Sequence, residues 1–140
     1  VNPHFGEKVL GRVRRLQATR EGLRHYPAAS DQKVAELYRT VRLAAFPTLA
    51  EGCGLPVLEA LWMGVPCVCS DLPSIRENAD QGGCVLAPAG DAERWAEALR
   101  RVLQDDAAWG SLAQGARSRP LTRWRETACQ LLGELTVGAV

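Results

Sequence analysis

The sequence predicts an α/β fold built on a doubly wound parallel sheet. Short apolar runs alternate along the chain with longer segments of helical periodicity, and glycine or proline punctuates them. Strands that alternate with helices pair in parallel, with the helices packed on the sheet faces. The runs that indicate strands are 23–26, 43–46, 66–70 and 82–88. With 140 residues, of which 46% are hydrophobic, the chain is expected to form one domain over residues 1–140.

Two amphipathic helices are predicted in the first part of the chain. The first covers 6–20 and ends at Gly22, with apolar residues at near-helical spacing: Val9, Leu10, Val13 and Leu16. Ser30 or Asp31 is expected to cap the second. The apolar face of this second helix is predicted to consist of Val34, Leu37, Tyr38 and Val41.

Three helices are predicted after the last strand. Asp91 caps one that runs through Gln104, a shorter one begins near Asp106 or Ala107, and Pro120 opens the last. Their apolar residues at helical spacing are expected to face the core. These residues are Trp95, Leu99, Val102, Leu103, Trp109, Leu112, Ala116, Trp124, Ala128, Leu131, Leu132 and Leu135.

The stretch from Glu51 to Asp71 carries the strongest chemical signal. A glycine-containing turn leads into a helix, and strand 66–70 follows. Pro56 suits the first turn of that helix, where a missing N–H costs nothing, and Gly64 ends it. The apolar residues at helical spacing on the helix are Leu58, Leu61, Trp62 and Val65, and a tryptophan at such spacing is expected in the core.

This arrangement predicts an anion-binding site at the start of the helix. The backbone N–H groups of Cys53, Gly54 and Leu55 are expected to point outward at the positive end of the helix dipole, where phosphate binds well. Gly52 and Gly54 allow a ligand to approach the backbone closely.

Two carboxylates flank these amides. Glu51 lies in the turn and Glu59 in the helix, and both can face a cleft at the carboxyl end of a strand, where open α/β sheets bind ligands. A carboxylate accepts hydrogen bonds from vicinal hydroxyls, so one is suited to a ribose and the other to a second sugar. From the residues alone, solvated charges near a helix start remain an open alternative.

The stretch resembles the signature of retaining glycosyltransferases of family 4, which have the GT-B fold. The match is EG-x-GLP-x-x-EA, then GVP and a strand that ends in Ser-Asp, supported by SD-x-x-VAELY before it and W-x-x-TA-x-x-LL near the end. The resemblance implies the C-terminal, Rossmann-like half of a GT-B enzyme. It assigns the ribose hydroxyls of a nucleotide-diphosphate sugar to Glu59 and those of the transferred sugar to Glu51, the catalytic position. It assigns sugar and diphosphate oxygens to the amides of Cys53 to Leu55, although Cys53 replaces a usual aromatic residue.

The resemblance also suggests contacts outside this turn. Tyr26, Pro27 and Ala28 follow the first strand candidate, where the family's loop lies beside the nucleobase, and an ordinary loop is an equal alternative. Ser74 and Glu77, in the segment after Asp71, are expected at the cleft rim, with a surface role equally open for Glu77.

The implied reaction transfers a hexosyl group from a UDP-, GDP- or dTDP-linked sugar to an acceptor hydroxyl, with no metal or cofactor required. A glycan or lipid-linked acceptor would bind through an N-terminal domain absent from this chain, as in bacterial surface polysaccharide or glycoconjugate synthesis. Family members neutralise the diphosphate with an upstream Arg and Lys, and Lys8 and Arg12 do not fit that pattern. The chain alone is therefore expected to be incomplete or inactive. The alternative is a non-catalytic or degenerate module that binds a nucleotide sugar or a protein.

Composition narrows the partners. A net charge of +1 gives no reason to expect nucleic acid, and the basic N-terminal third is either a solvated face or a peripheral membrane contact. No apolar run has the length of a membrane span. Five cysteines without metal-ligand spacing indicate structural thiols and a reducing cytoplasm, with the inner membrane face as an alternative location.

Overall fold

The computed structural model describes residues 3–137. In this part of the chain, seven helices and three strands form in the order α1 Pro3–Thr19, α2 Asp31–Thr40, β1 Ala44–Phe46, α3 Leu55–Trp62, β2 Cys67–Ser70, α4 Pro73–Ala79, β3 Cys84–Ala87, α5 Ala92–Gln104, α6 Asp106–Arg117 and α7 Trp124–Val137.

The chain divides into two compact units between Ala35 and Glu36. The N-terminal unit contains α1, the following loop and the start of α2, which Ser30 caps by accepting the N–H of Lys33 at 3.2 Å. The loop is exposed, and the Lys33 ammonium lies 5.6 Å from the centre of the Tyr26 ring. The single domain over 1–140 stays a prediction.

The predicted strand over residues 23–26 is wrong, because this segment is irregular. The N–H of Leu23 donates to the carbonyl of Arg20 at 3.5 Å, as in a turn, and the Leu23 and Tyr26 side chains are exposed. The apolar run is interrupted by Arg24 and His25, so it offers little apolar surface for a sheet to bury.

The second unit is an α/β fold on a parallel sheet, as predicted. The strand order is β1-β2-β3, and both pairs of neighbours are parallel. Alternate residues of β2 enter different clusters: Cys67 and Cys69 pack with α3, α4 and α6, whereas Val68 packs with α5. Helices therefore cover both faces of the sheet, and β2 lies at its centre with every residue buried.

Local signals define α3 at both ends. Gly54 precedes it with φ 69°, and Pro56 occupies its first turn. Beyond its end, the N–H of Val65 donates to the carbonyl of Ala60 at 2.8 Å and that of Gly64 to Leu61 at 2.9 Å. This is a Schellman motif, which the positive φ of Gly64 allows, so the predicted stop is confirmed.

Helix α4 lies where the sequence indicated only a short segment. Pro73 occupies the start of the helix, a favoured position that was the available signal. The fully buried Ile75 anchors the helix beside α3. This missed helix has a direct role at the candidate site.

Helices α5 and α6 contribute buried residues to the core, whereas residues 124–136 of α7 contribute none. Asp91 caps α5 by accepting the N–H groups of Glu93 and Arg94 at 3.1 and 3.0 Å, as predicted, and Trp95 is buried. Asp105 caps α6 in the same way. In α7, residues 124–136 are exposed, so the prediction that its apolar residues face the core is wrong. Helical spacing defines a face, but it does not supply a neighbour to cover it.

The cysteines of the sheet are buried thiols. Cys67 and Cys69 lie on one face of β2, as predicted, and Cys84 is half-buried on β3. Contact with the Cys67 thiol, together with burial, raises the pKa of Cys69 to about 12. Contact with the Cys69 thiol and burial also raise the pKa of Cys84. The Cys69 and Cys84 thiols are therefore protonated at neutral pH and act as small core residues. Among the described residues, no helix is long and apolar enough to cross a membrane.

Candidate functional site

The turn before α3 has a backbone that only glycine fits at one position. Gly54 is buried with φ 69°. A Cβ there would lie 2.5 Å from Cδ1 of Ile75 and 3.0 Å from Nδ2 of Asn78. Gly52, by contrast, has no atom within 4 Å of such a Cβ. The turn therefore needs Gly54 for close packing and leaves the space around Gly52 open.

Helix α4 holds the turn by two side-chain hydrogen bonds. The Ser74 hydroxyl donates to the carbonyl of Glu51 at 2.7 Å, and Asn78 Nδ2 donates to the carbonyl of Cys53 at 2.5 Å. Residues four apart lie on one helix face, so Ser74 and Asn78 act as a pair, with Ile75 packed beneath Gly54. The sequence predicts Ser74 only at the cleft rim and gives no role to Asn78. The signal was the i, i+4 spacing of two hydrogen-bonding residues behind Pro73.

The amides of the turn already face an anion, which is the carboxylate of Glu51. Its Oε1 accepts the N–H groups of Gly52 at 2.9 Å and Cys53 at 3.3 Å. The backbone amides of Gly54, Cys53 and Gly52 hold the pKa of Glu51 below its usual range. The carboxylate is thus ionised at neutral pH and accepts hydrogen bonds only. The geometry shows that this turn can bind an anionic oxygen.

Glu59 lies on the exposed side of α3. Leu55, Glu59 and Trp62 form one stripe at helical spacing, and their side chains are exposed. The prediction that Trp62 faces the core is therefore wrong, because the stripe lies opposite the buried Ala60 and Leu61.

Tyr38 borders the same helix. Its hydroxyl donates to the carbonyl of Pro56 at 3.2 Å. Burial raises the pKa of Tyr38, with smaller effects from the charge of Glu59 and from Cys67. Tyr38 is therefore a neutral donor that fixes the first turn of α3 near the Glu59 carboxylate.

The Arg76 guanidinium lies at the carboxyl end of β2. Asp71 follows β2, and Arg76 on α4 donates two hydrogen bonds to its carboxylate. Nε donates to one carboxylate oxygen, and Nη2 donates to the other at 2.9 Å. The guanidinium holds the pKa of Asp71 below its usual range, and Asp71 raises the pKa of Arg76. The fork-like pairing fixes Arg76 at the carboxyl end of the central strand.

The remaining predicted residues are exposed. Tyr26, Pro27 and Ala28 lie in the loop of the N-terminal unit, and their base-side role stays a prediction. The Glu77 side chain is exposed on α4 and makes no hydrogen bond within residues 3–137, which is consistent with the surface alternative. In the same range, no group of three or more His, Cys, Asp or Glu residues is arranged to hold a metal ion.

The chain is similar to known sugar transferases. A model of the family described as "Glycosyl transferases group 1" matches residues 6–105. The chain is 37% identical to the O-antigen chain mannosyltransferase B of Escherichia coli, over 69% of this chain and 25% of the relative. It is 33% identical to the D-inositol 3-phosphate glycosyltransferase of Salinispora arenicola, over 80% of this chain and 25% of the relative. The chain thus spans about a quarter of these curated relatives.

A solved structure has the same fold. The chain superposes on sucrose-phosphate synthase from Thermosynechococcus elongatus with a TM-score of 0.76 at 22% identity. The match covers 95% of this chain and 35% of that chain. The predicted Rossmann-like sheet of GT-B type is confirmed by this likeness together with the parallel strand order.

Proposed function

Because the chain belongs to the group 1 glycosyl transferases, we propose that it forms the donor-binding part of a retaining enzyme of family 4. The donor is a nucleotide-diphosphate sugar, with uridine, guanosine or thymidine as the base. The enzyme transfers its hexosyl group to a hydroxyl of a glycan or lipid-linked acceptor, in bacterial surface polysaccharide or glycoconjugate synthesis. The mannosyltransferase named for the O-antigen chain supports that role.

The proposal rests on the turn before α3, where backbone amides already bind the carboxylate of Glu51. The amides of Gly52 and Cys53 donate to one carboxylate oxygen of Glu51, and the amide of Gly54 also lowers its pKa. A donor oxygen, from the diphosphate or the sugar, would take this place, because both are oxygen acceptors and the helix dipole favours a negative charge there. The released Glu51 carboxylate would then accept hydrogen bonds from hydroxyls of the sugar.

The reaction needs stabilisation of the leaving group. The bond between the anomeric carbon and the diphosphate oxygen breaks, and the electron pair stays on that oxygen. The acceptor oxygen bonds to the anomeric carbon on the same face, and its proton passes to the departing phosphate. The turn amides stabilise the negative charge that develops, and Arg76 is a further candidate if it exchanges Asp71 for phosphate. Glu51 acts as a hydrogen-bond acceptor rather than a nucleophile.

The other residues would fix the donor. Glu59 would accept the ribose hydroxyls from the exposed face of α3, and Tyr26, Pro27 and Ala28 would lie on the base side. The acceptor would bind through an N-terminal domain, as in two-domain enzymes of this fold. We propose a cytoplasmic location, with peripheral contact at the inner membrane face if the acceptor is lipid-linked.

Calorimetric titration with UDP, GDP and dTDP, each free and sugar-linked, tests the proposal. We expect one base to bind best. Replacing Glu59 by alanine removes a charge-assisted hydrogen bond worth about 1.5–3 kcal/mol, so the affinity should fall about 10- to 100-fold. Glu93→Ala is the matched control, because Glu93 is exposed on α5 and its side chain makes no hydrogen bond among the described residues.

Two outcomes would contradict the proposal. Equal affinities for the Glu59→Ala and Glu93→Ala variants would remove Glu59 from the site. Failure of every nucleotide to bind at millimolar concentration would favour the degenerate or protein-interaction module. Binding without transfer is expected for this chain alone.

A further inference from the structure

A cavity lies at the end of α3 away from the turn. Its volume is about 470 Å³, which is within the range of small-molecule sites. The end of α3 forms one wall, and the end of α6 with the segment after it forms the other. The residues that matter for its chemistry are Leu61, Trp62, Gly64, Arg117, Arg119 and Leu121.

Arg117 provides a free positive charge at this cavity. Its side chain lies across Gly64, with Cγ only 3.0 Å and Nε 3.8 Å from where a Cβ of Gly64 would stand. The glycine needed to end α3 therefore also makes room for the arginine. Arg117 makes no side-chain hydrogen bond or ion pair within the described chain, although its guanidinium carries five donors.

Arg119 holds the wall together and keeps one donor unused. Its Nη1 donates to the carbonyl of Gly82 at 3.2 Å and to that of Asn78. Its Nε is buried, and no partner for it lies among residues 3–137. A buried N–H without a partner is costly, so Arg119 leaves the cavity wall with one unsatisfied donor.

The cavity offers an aromatic surface and no carboxylate. Trp62 is 49% exposed, and Cζ of Arg123 lies 5.8 Å from the centre of its indole ring. None of the residues that line the cavity is acidic. The Glu126 carboxylate, which is not among the lining residues, accepts the backbone N–H of Arg123 at 2.9 Å.

We propose that this cavity binds a small organic oxyanion, namely a phosphate or carboxylate group attached to a ring. The oxyanion pairs with Arg117, since a guanidinium matches the geometry of both groups. The ring packs on Trp62 and against Leu61 and Leu121. The proposal does not depend on the donor site, because none of its residues belongs to the turn.

Calorimetry of the full chain with four probes tests the proposal: phenyl phosphate, benzoate, inorganic phosphate and benzyl alcohol. The first two should bind, and their ratio identifies the preferred oxyanion. Inorganic phosphate and benzyl alcohol should bind at least about 10-fold more weakly, because each lacks one half of the ligand. The indole N–H resonance of Trp62 should shift on binding, and its assignment comes from Trp62→Ala.

Matched variants decide the roles. Arg117→Gln should weaken phenyl phosphate about 10-fold, whereas Arg100→Gln, an exposed arginine of α5, should leave it unchanged. Trp62→Ala should weaken phenyl phosphate but not inorganic phosphate. The Arg117 and Arg100 side chains are exposed, so the thermal midpoints of those two variants should stay close to wild type, which separates ligand loss from unfolding. Equal binding by the two arginine variants, equal affinity for inorganic phosphate, or no binding of either oxyanion at 10 mM ligand (roughly the weakest useful affinity) would overturn the proposal.

Discussion

The two ends of α3 have opposite electrostatic character. At its start, the amides of Gly52 to Gly54 surround a carboxylate. Beyond its end lies the arginine-lined cavity. A helix dipole favours anions at the start and cations at the end, and both are found here. The start is specified by a few adjacent residues, whereas the cavity combines segments more than fifty positions apart.

Asn78 connects the turn to the wall of the cavity. The Asn78 side chain holds the carbonyl of Cys53 in the turn, while its own carbonyl accepts Nη1 of Arg119 in the cavity wall. The turn is tightly held and the cavity is open. The following variants test whether this contrast in packing holds.

The largest effect is expected for Gly54→Ala. The left-handed backbone and the close approach of Ile75 should together cost about 3 kcal/mol, measured by chemical denaturation. Gly52→Ala is the control, because it meets nothing within 4 Å and its φ is not positive. Similar losses for the two alanines would mean that the turn is not packed as described.

Smaller losses are expected when α4 releases the turn. Asn78→Ala and Ser74→Ala each remove one hydrogen bond to the turn and should cost about 1 kcal/mol in unfolding free energy. Amide hydrogen exchange of residues 52–54 should become faster in both. Ser74→Thr should restore the wild-type exchange, and Glu77→Ala on the exposed side of α4 should have no effect. Accelerated exchange in Glu77→Ala would show that the turn does not depend specifically on the hydrogen bonds from Ser74 and Asn78.

A pH-dependent effect is expected at Glu51. Because the folded state lowers its pKa, the stabilisation is fully present above the ordinary glutamate pKa and is lost as the pH falls through the folded value. Wild type should therefore exceed Glu51→Gln in stability above about pH 5, and the difference should shrink in more acidic solution. Asp71 titrates in the same direction in both proteins, so the comparison isolates Glu51. A difference that stays constant with pH would contradict the carboxylate–amide contact.

The smallest effect is expected near the cavity. Arg123→Ala removes a cation–π contact with half-exposed Trp62 and should cost about 0.5 kcal/mol. Arg125→Ala, an exposed neighbour, should have no measurable effect. A double-mutant cycle with Trp62→Ala measures the coupling, and a coupling energy of zero would show that the contact does not form in solution.

Local chemistry explains what the sequence could predict. Pro56 and Gly64 act through their own backbone conformation, and the Asp91 side chain acts on amides two and three positions away. The start and end of α3 and the cap of α5 were therefore predicted correctly. The hydrogen bonds from α4 to the turn were missed because they join distant positions: Ser74 donates to a carbonyl 23 positions away. Trp62 was misplaced because its spacing from Leu58 and Val65 fits the apolar pattern, although it lies on the exposed stripe of α3. Trp124 was misplaced because no described element covers α7.

The exposed helix α7 gives the protein a native optical probe. Trp124 is 87% exposed, whereas Trp95 in the core is only 8% exposed. In the isolated chain, a water-soluble quencher such as iodide should therefore quench the fluorescence of Trp124 readily and that of Trp95 very little. Any molecule that covers α7 would reduce the quenching of Trp124 and shift its emission to the blue. Assembly on this helix can be followed in solution without a label.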